Sequence, residues 1–214
     1  MIGNQRITDY IRSLEPDMEP VLECIEREAK ETFVPIIRKE TAALLKTLVA
    51  GTRPKAILEV GTAVGYSALL MASVMGKDCH ITTIEKYEKR IPIAHANFKR
   101  AGRESDITLL EGDAEEIMKG LSPESFDFIF MDAAKGQYIH WLPVVLGLLA
   151  PGGMLVSDNV LQDGDLIESR FAVERRNRTI HSRMRDYLYT LKHTEGLETS
   201  IIPIGDGVTL SVKI

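Results

Sequence analysis

The chain has 214 residues, 44% of them hydrophobic and 27% charged, with a net charge of −5. That length and composition fit a single globular domain over residues 1–214 with a sizeable core. The negative balance argues against whole-surface nucleic-acid binding but leaves room for a local basic patch, and no apolar run reaches membrane-spanning length.

The N-terminus MIGNQRITDY has no signal-type apolar region. Cys24 and Cys79 lack metal or redox spacing, so both are expected to be inert thiols in a reduced, cytoplasmic setting. Residues 1–50 read as a helical lead-in to an α/β core over residues 51–214. Ile7, Tyr10, Ile11 and Leu14 share one helix face, and Val21, Leu22, Ile25 and Ala29 share another. Pro16 and Pro20 punctuate the two. Phe33-Val-Pro-Ile36 reads either as a lead-in passing over a ligand or as a core-packing linker. A helix from Lys39 to Val49 follows.

Ala56 to Val60 is a short apolar run containing one acid, Glu59, and reads as a buried strand. Gly61 and Gly65 follow, then an apolar helical pattern at Leu69, Leu70, Ala72 and Val74. Glycine lets the backbone turn sharply and lets a ligand come close. The helix that starts there points unpaired N–H groups at whatever fills the turn. The spacing Glu59-x-Gly61-x-x-x-Gly65 is too wide for the dinucleotide fingerprint, and there is no P-loop. A βα turn whose glycines serve only packing is the alternative.

The alternation continues. His80–Glu85 reads as a second strand, Glu88–Ala101 as a helix and Ile107–Glu111 as a third strand. Phe126–Asp132 reads as a fourth strand and Tyr138–Leu149 as a helix broken by Pro151-Gly-Gly153. Met154–Asp158 is a fifth strand. A long helix is expected near Glu168–His193. Thr199–Ile204 and Val208–Ile214, joined by Gly205-Asp206-Gly207, close the chain as an antiparallel pair. The expected fold is α/β: a mostly parallel seven-stranded sheet with helices on both faces and an antiparallel C-terminal pair.

Ligands bind at the carboxyl ends of such strands. Glu59, Glu85, Asp113, Asp132 and Asp158 each fall at or just past a predicted strand end. Five acids on one sheet edge repel each other, which favours a site for cationic ligands over ordinary loop acids. Glu85 lies 24 residues after Gly61, near the spacing at which an acid takes a ribose diol. Asp113 and Ala114 would flank an adenine edge. Asp132, Asp158 and Asn159 are hard oxygen ligands that suit Mg²⁺, Mn²⁺ or Ca²⁺ rather than zinc. A turn after the fifth strand is the alternative for Asp158-Asn159.

Three stretches carry a resemblance. Glu59-x-Gly-x-x-x-Gly-Tyr-Ser67, Met131-Asp-Ala-Ala-Lys-Gly-Gln-Tyr138 and Ser157-Asp-Asn159 together are similar to the metal-dependent O-methyltransferases of the catechol and caffeoyl-CoA type. Ile204-Gly-Asp-Gly-Val-Thr-Leu210 is similar too, and the match runs from about Phe33 to the C-terminus. The resemblance implies a Rossmann-like class I methyltransferase fold and S-adenosylmethionine (SAM) as cofactor. It implies that Ile36, Gly61, Ser67, Glu85, Asp113, Ala114 and Asp132 hold SAM, with the Glu59 carboxylate meeting the amino group of its methionine part. It further implies that Asp132, Asp158 and Asn159 hold a divalent metal, Mg²⁺ foremost, and that Lys135 is the catalytic lysine beside Asp132. A surface lysine is the alternative for Lys135.

The chain departs from the better-known members at Ala133-Ala134, where the catechol type has His-Trp and the plant type Ala-Asp. Small side chains leave the acceptor pocket less walled. Residues 168–186 carry six arginines against three acids. Together with the Asp-Ala-Ala-Lys-Gly-Gln-Tyr stretch, this segment resembles a bacterial branch that methylates 5-hydroxyuridine in the tRNA anticodon loop. Arg175, Arg176, Arg178, Arg183 and Arg185 would then contact tRNA phosphates. The alternatives are a surface helix with snorkelling arginines, a helix packed on a second subunit of a homodimer, or a small catechol-like or hydroxycinnamoyl acceptor. A dinucleotide-dependent oxidoreductase is disfavoured by the glycine spacing.

Overall fold

The computed structural model describes residues 5–214. Seven strands form one sheet in the order β3-β2-β1-β4-β5-β7-β6. These are β1 (Ala56–Val60), β2 (His80–Glu85), β3 (Ile107–Glu111), β4 (Phe126–Met131), β5 (Leu149–Ser157), β6 (Leu197–Ile202) and β7 (Val208–Lys213). The first five are parallel, and β7 pairs antiparallel with both β5 and β6. The strand order reverses between β1 and β4. Crevices for ligands open there, at the carboxyl ends of the strands. This is the Rossmann-like methyltransferase arrangement the sequence implied.

Helices α1 (Gln5–Ser13), α2 (Pro20–Glu31), α3 (Lys39–Thr52), α4 (Tyr66–Ala72), α5 (Ile91–Arg100), α6 (Ala114–Lys119), α7 (Tyr138–Leu148) and α8 (Arg178–His193) complete the molecule. Two apolar clusters cover the two sheet faces. One joins α2–α5 to Ile57, Ile81, Phe128 and Phe130. The other joins α6–α8 to Leu58, Val60, Ile129 and Met131. Adjacent strand residues alternate between the clusters because side chains along a strand point to opposite faces.

Two expectations are corrected. The fifth strand starts at Leu149, not Met154, and contains the Pro151-Gly-Gly153 stretch expected to lie before it. Its pairing jumps from Phe126↔Leu149 to Phe128↔Met154. The intervening residues bulge, which accommodates a proline that cannot donate to the ladder. The long C-terminal helix starts at Arg178, not Glu168; short 3₁₀ turns at Gln162–Ile167 and Arg175–Asn177 precede it. Arg178 donates to the carbonyls of Val173 and Phe171, and His181 lies 3.2 Å from that of Glu168. These side chains use acceptors that a longer helix would need for its own ladder. Ile7, Tyr10, Ile11 and Leu14 are all exposed, and Arg12 tethers α1 through paired bonds to Glu40.

Candidate active site

A cavity of about 610 Å³ opens at the carboxyl edge of the parallel strands. Strand order sets the sequence of groups along it: Asp113 after β3, Glu85 at the end of β2, Gly61 after β1, Asp132 after β4, then Asp158 and Asn159 after β5. The segment Pro35–Arg38 covers the cavity from the N-terminal side. Both readings of that stretch have a counterpart here: Pro35 and Ile36 line the cavity, while Val34 and Ile36 pack against the core cluster.

The glycine turn is built by a buried polar cluster. Glu59 is fully buried and does not line the cavity. The Ser67 hydroxyl donates to its Oε1 at 2.6 Å, and the Thr83 hydroxyl donates to its Oε2. Burial raises the Glu59 carboxyl to about 8. The structure therefore places Glu59 behind Ser67, and Ser67 lines a narrow cleft with Ile36 and Asp132 that adjoins the main cavity. Glu85 lines the cavity itself. Its Oε2 accepts from the Ala63 amide at 2.8 Å, and its Oε1 accepts from the amides of Lys86 and Tyr87. Three backbone donors fix the position of the carboxylate. Asp113 caps α6 by accepting from the Glu115 amide at 3.0 Å, so Ala114 starts that helix at the cavity wall.

Asp132 and Asp158 meet at the other end. Burial raises the Asp132 carboxyl to about 6, with Lys135 opposing the shift. Burial, and then the nearby Asp132 charge, raise Asp158 to about 7. Two carboxylates held this close destabilise each other when both are ionised, and a cation between them would relieve that. Asn159 follows with φ 58. Among the described residues no group of three or more His, Cys, Asp or Glu side chains forms a metal cluster. The donor set here is two carboxylates and an amide, which fits a hard divalent ion.

The strand ends that carry these acids are fixed by buried tyrosines. Tyr138 Oη donates to the Met131 carbonyl at 3.0 Å and accepts from the Ala133 amide at 3.2 Å. Its ring meets Tyr187 edge-on, and Tyr187 Oη lies 2.6 Å from Ser157 Oγ. Sequence reading assigned neither tyrosine a role. It also gave Asp206 no role, although the stretch Ile204–Leu210 that contains it carries part of the family resemblance. Asp206 is buried, with one carboxylate oxygen 3.5 Å from Lys135 Nζ. Its signals were a charged residue between two glycines and its place in the resembling stretch Ile204–Leu210.

The five arginines are not one surface. Arg175, Arg176 and Arg185 are exposed, whereas Arg178 and Arg183 are half-buried. Arg183 donates to the Gly136 carbonyl at 3.0 Å, next to Lys135.

The O-methyltransferase family model matches residues 13–214. The chain belongs to the O-methyltransferase family. As a SAM-dependent O-methyltransferase of the catechol and caffeoyl-CoA type, it resembles a caffeoyl-CoA O-methyltransferase of Populus kitakamiensis, 33% identical over 79% of this chain and 74% of that one. It also resembles a catechol O-methyltransferase of Niastella koreensis, 36% identical over 58% of each chain. A solved methyltransferase of Podospora anserina, bound to S-adenosylhomocysteine, superposes with a TM-score of 0.85 at 26% identity, covering 97% of this chain and 93% of that one. No helix among the described residues is long and apolar enough to cross a membrane.

Proposed function

We propose that this O-methyltransferase transfers the SAM methyl group, with divalent-metal assistance, to the 5-hydroxyl of 5-hydroxyuridine in a tRNA anticodon loop, giving 5-methoxyuridine. The observation that carries the acceptor is the packing of the arginine-rich segment against the turn that holds Lys135: Arg183 reaches the Gly136 carbonyl, and Ile180 also approaches Gly136. The exposed Arg175, Arg176 and Arg185 belong to that same segment, so a polyanion lying on it would run toward the acceptor end of the cavity.

Cofactor roles follow from position. Glu85 takes the ribose hydroxyls, with its remaining lone pairs directed into the cavity. The Ser67 hydroxyl donates its hydrogen bond to Glu59, so its oxygen presents lone pairs to the methionine ammonium, and Glu59 acts through it. Asp113 and Ala114 bound the adenine, and Pro35 and Ile36 exclude water. Asp132, Asp158 and Asn159 would hold the metal. When bound, SAM supplies an electrophilic methyl group, and the cation supplies Lewis-acid polarisation of the acceptor oxygen. Lys135, half-buried beside Asp132, takes or stabilises the proton that leaves the acceptor hydroxyl. Holding donor and acceptor in line supplies much of the rate gain.

A small catechol or hydroxycinnamoyl acceptor is the second reading, supported by the names of the Niastella and Populus relatives. The test is methyl transfer from labelled SAM to tRNA bearing 5-hydroxyuridine and, in parallel, to catechol, with and without EDTA. EDTA-sensitive label in the RNA supports the tRNA reading. Label in catechol alone transfers the assignment to the small acceptor.

A further inference from the structure

We propose that Asp206 is a positioning residue for methyl transfer: one carboxylate oxygen holds both the Lys135 ammonium and the Asn159 amide. The inference rests on the roles proposed above for Lys135 and for the metal ligands.

Asp206 Oδ2 lies 3.5 Å from Lys135 Nζ and 3.4 Å from Asn159 Nδ2. A carboxylate can only accept, so it fixes which way the Asn159 amide faces. The NH₂ group turns to Asp206, and the carbonyl oxygen stays uncommitted to it, available to a cation. The same oxygen offers Lys135 a counter-charge. Asp206 is only 6% exposed, and a buried charge needs such partners.

The turn that presents Asp206 is tightly keyed. A Cβ on Gly205 would lie 2.5 Å from Thr41 Oγ1, and one on Gly207 would lie 2.3 Å from Leu161 Cγ. The Val160 amide donates to the Gly207 carbonyl at 3.0 Å and the Leu161 amide to the Asp206 carbonyl at 2.9 Å. These bonds lock the loop after β5, which carries Asn159, to the turn that carries Asp206. Arg38 adds a third tie by donating to the Gly205 carbonyl at 3.2 Å, which joins the cavity-covering segment to the same turn. One turn thus couples the cofactor cover, the catalytic lysine and a metal ligand.

The experiment uses full-length wild type, Asp206→Ala and Asp206→Asn. Calorimetry measures Mn²⁺ and SAM binding, and kcat is measured on whichever of 5-hydroxyuridine tRNA and catechol the wild type methylates. Asp206→Ala should weaken Mn²⁺ binding about tenfold or more, as loss of an outer-shell partner does. It should lower kcat at least as much and leave the SAM Kd within about twofold. Asp206→Asn keeps an acceptor for the Asn159 amide but loses the counter-charge. It should retain Mn²⁺ binding within about threefold while kcat falls about tenfold. A purely structural role would move metal, SAM and kcat together in both variants, and that result overturns the inference. So does a folded Asp206→Ala enzyme with wild-type Mn²⁺ affinity and kcat, which leaves the metal reading intact. If the wild type itself binds no Mn²⁺ in the presence of SAM, the metal reading falls and takes this inference with it.

Discussion

A side chain on Gly61 would put its Cβ 2.2 Å from the backbone oxygen of Asp132. Gly61 also has φ 108, a region that L side chains rarely adopt. The turn after β1 and the end of β4 therefore touch backbone to backbone, at the middle of the cavity. Gly61→Ala should force the two strand ends apart, costing about 1–3 kcal/mol in backbone strain alone. The expected outcome is a lower melting temperature and a SAM Kd raised by more than about tenfold. A thermal melt with a SAM titration checks it, and an unperturbed Kd would mean the contact does not shape the cofactor site.

Glu85 is held by three backbone amides yet still faces the cavity. Glu85→Ala removes a charged acceptor from the ribose hydroxyls, and hydrogen bonds to charged groups contribute about 1.5–3 kcal/mol. SAM binding should weaken roughly 10- to 100-fold by calorimetric titration. Equal affinity in a folded variant would remove Glu85 from the cofactor site.

The sheet and the acid-lined edge could be read from sequence because both follow from local pattern. Apolar runs at Ala56–Val60 and Phe126–Met131 announced strands; the first contains the acid Glu59 and the second is followed by Asp132. What could not be read depended on partners far along the chain. Glu59 looked like a ligand-facing acid because nothing near it in sequence shows that Thr83 and Ser67 enclose it. The helix at the C-terminal side looked longer because Arg178 carries an ordinary helical residue's signature while its side chain takes the carbonyls of Phe171 and Val173. Asp206 acquires its place only when β7 pairs beside β5.

Stability of the metal-free protein should fall as pH rises from about 4 to about 8, since buried Glu59, raised to about 8, adds to the two site acids. Asp132 is pushed up to about 6 and Asp158 to about 7, from an ordinary 3.8. Across that window the native state keeps protons that the unfolded chain has already lost, so raising pH favours unfolding. The stabilisation is complete below the unfolded value and gone above the folded ones. A divalent ion competes with protons for the same oxygens, so Mn²⁺ should raise the melting temperature more at pH 8 than at pH 5. Melting curves in EDTA and in Mn²⁺ across that range are the check. A metal-free melting temperature that climbs with pH would contradict the burial of these two acids, and no differential Mn²⁺ effect would count against the metal site.

The arginines divide into two groups, and the division makes the substrate testable. Arg175, Arg176 and Arg185 are exposed, though Arg176 already meets Glu174 at 2.6 Å. Changing these three to Glu should raise KM for 5-hydroxyuridine tRNA about tenfold or more. Each lost phosphate contact should flatten the salt dependence of binding by about one unit of slope. Melting temperature and turnover of a catechol should stay near wild type, since a small acceptor meets no phosphate. Arg183→Glu should behave differently, because its bond to the Gly136 carbonyl supports the turn that carries Lys135. That variant should lower kcat on either acceptor without the selective rise in KM for RNA. Steady-state kinetics on both acceptors, with the melt run first, separates the cases. If the exposed triple variant methylates tRNA with unchanged KM and unchanged salt slope, these arginines do not contact RNA. If it loses stability or changes its mass in solution instead, they serve packing or subunit contact.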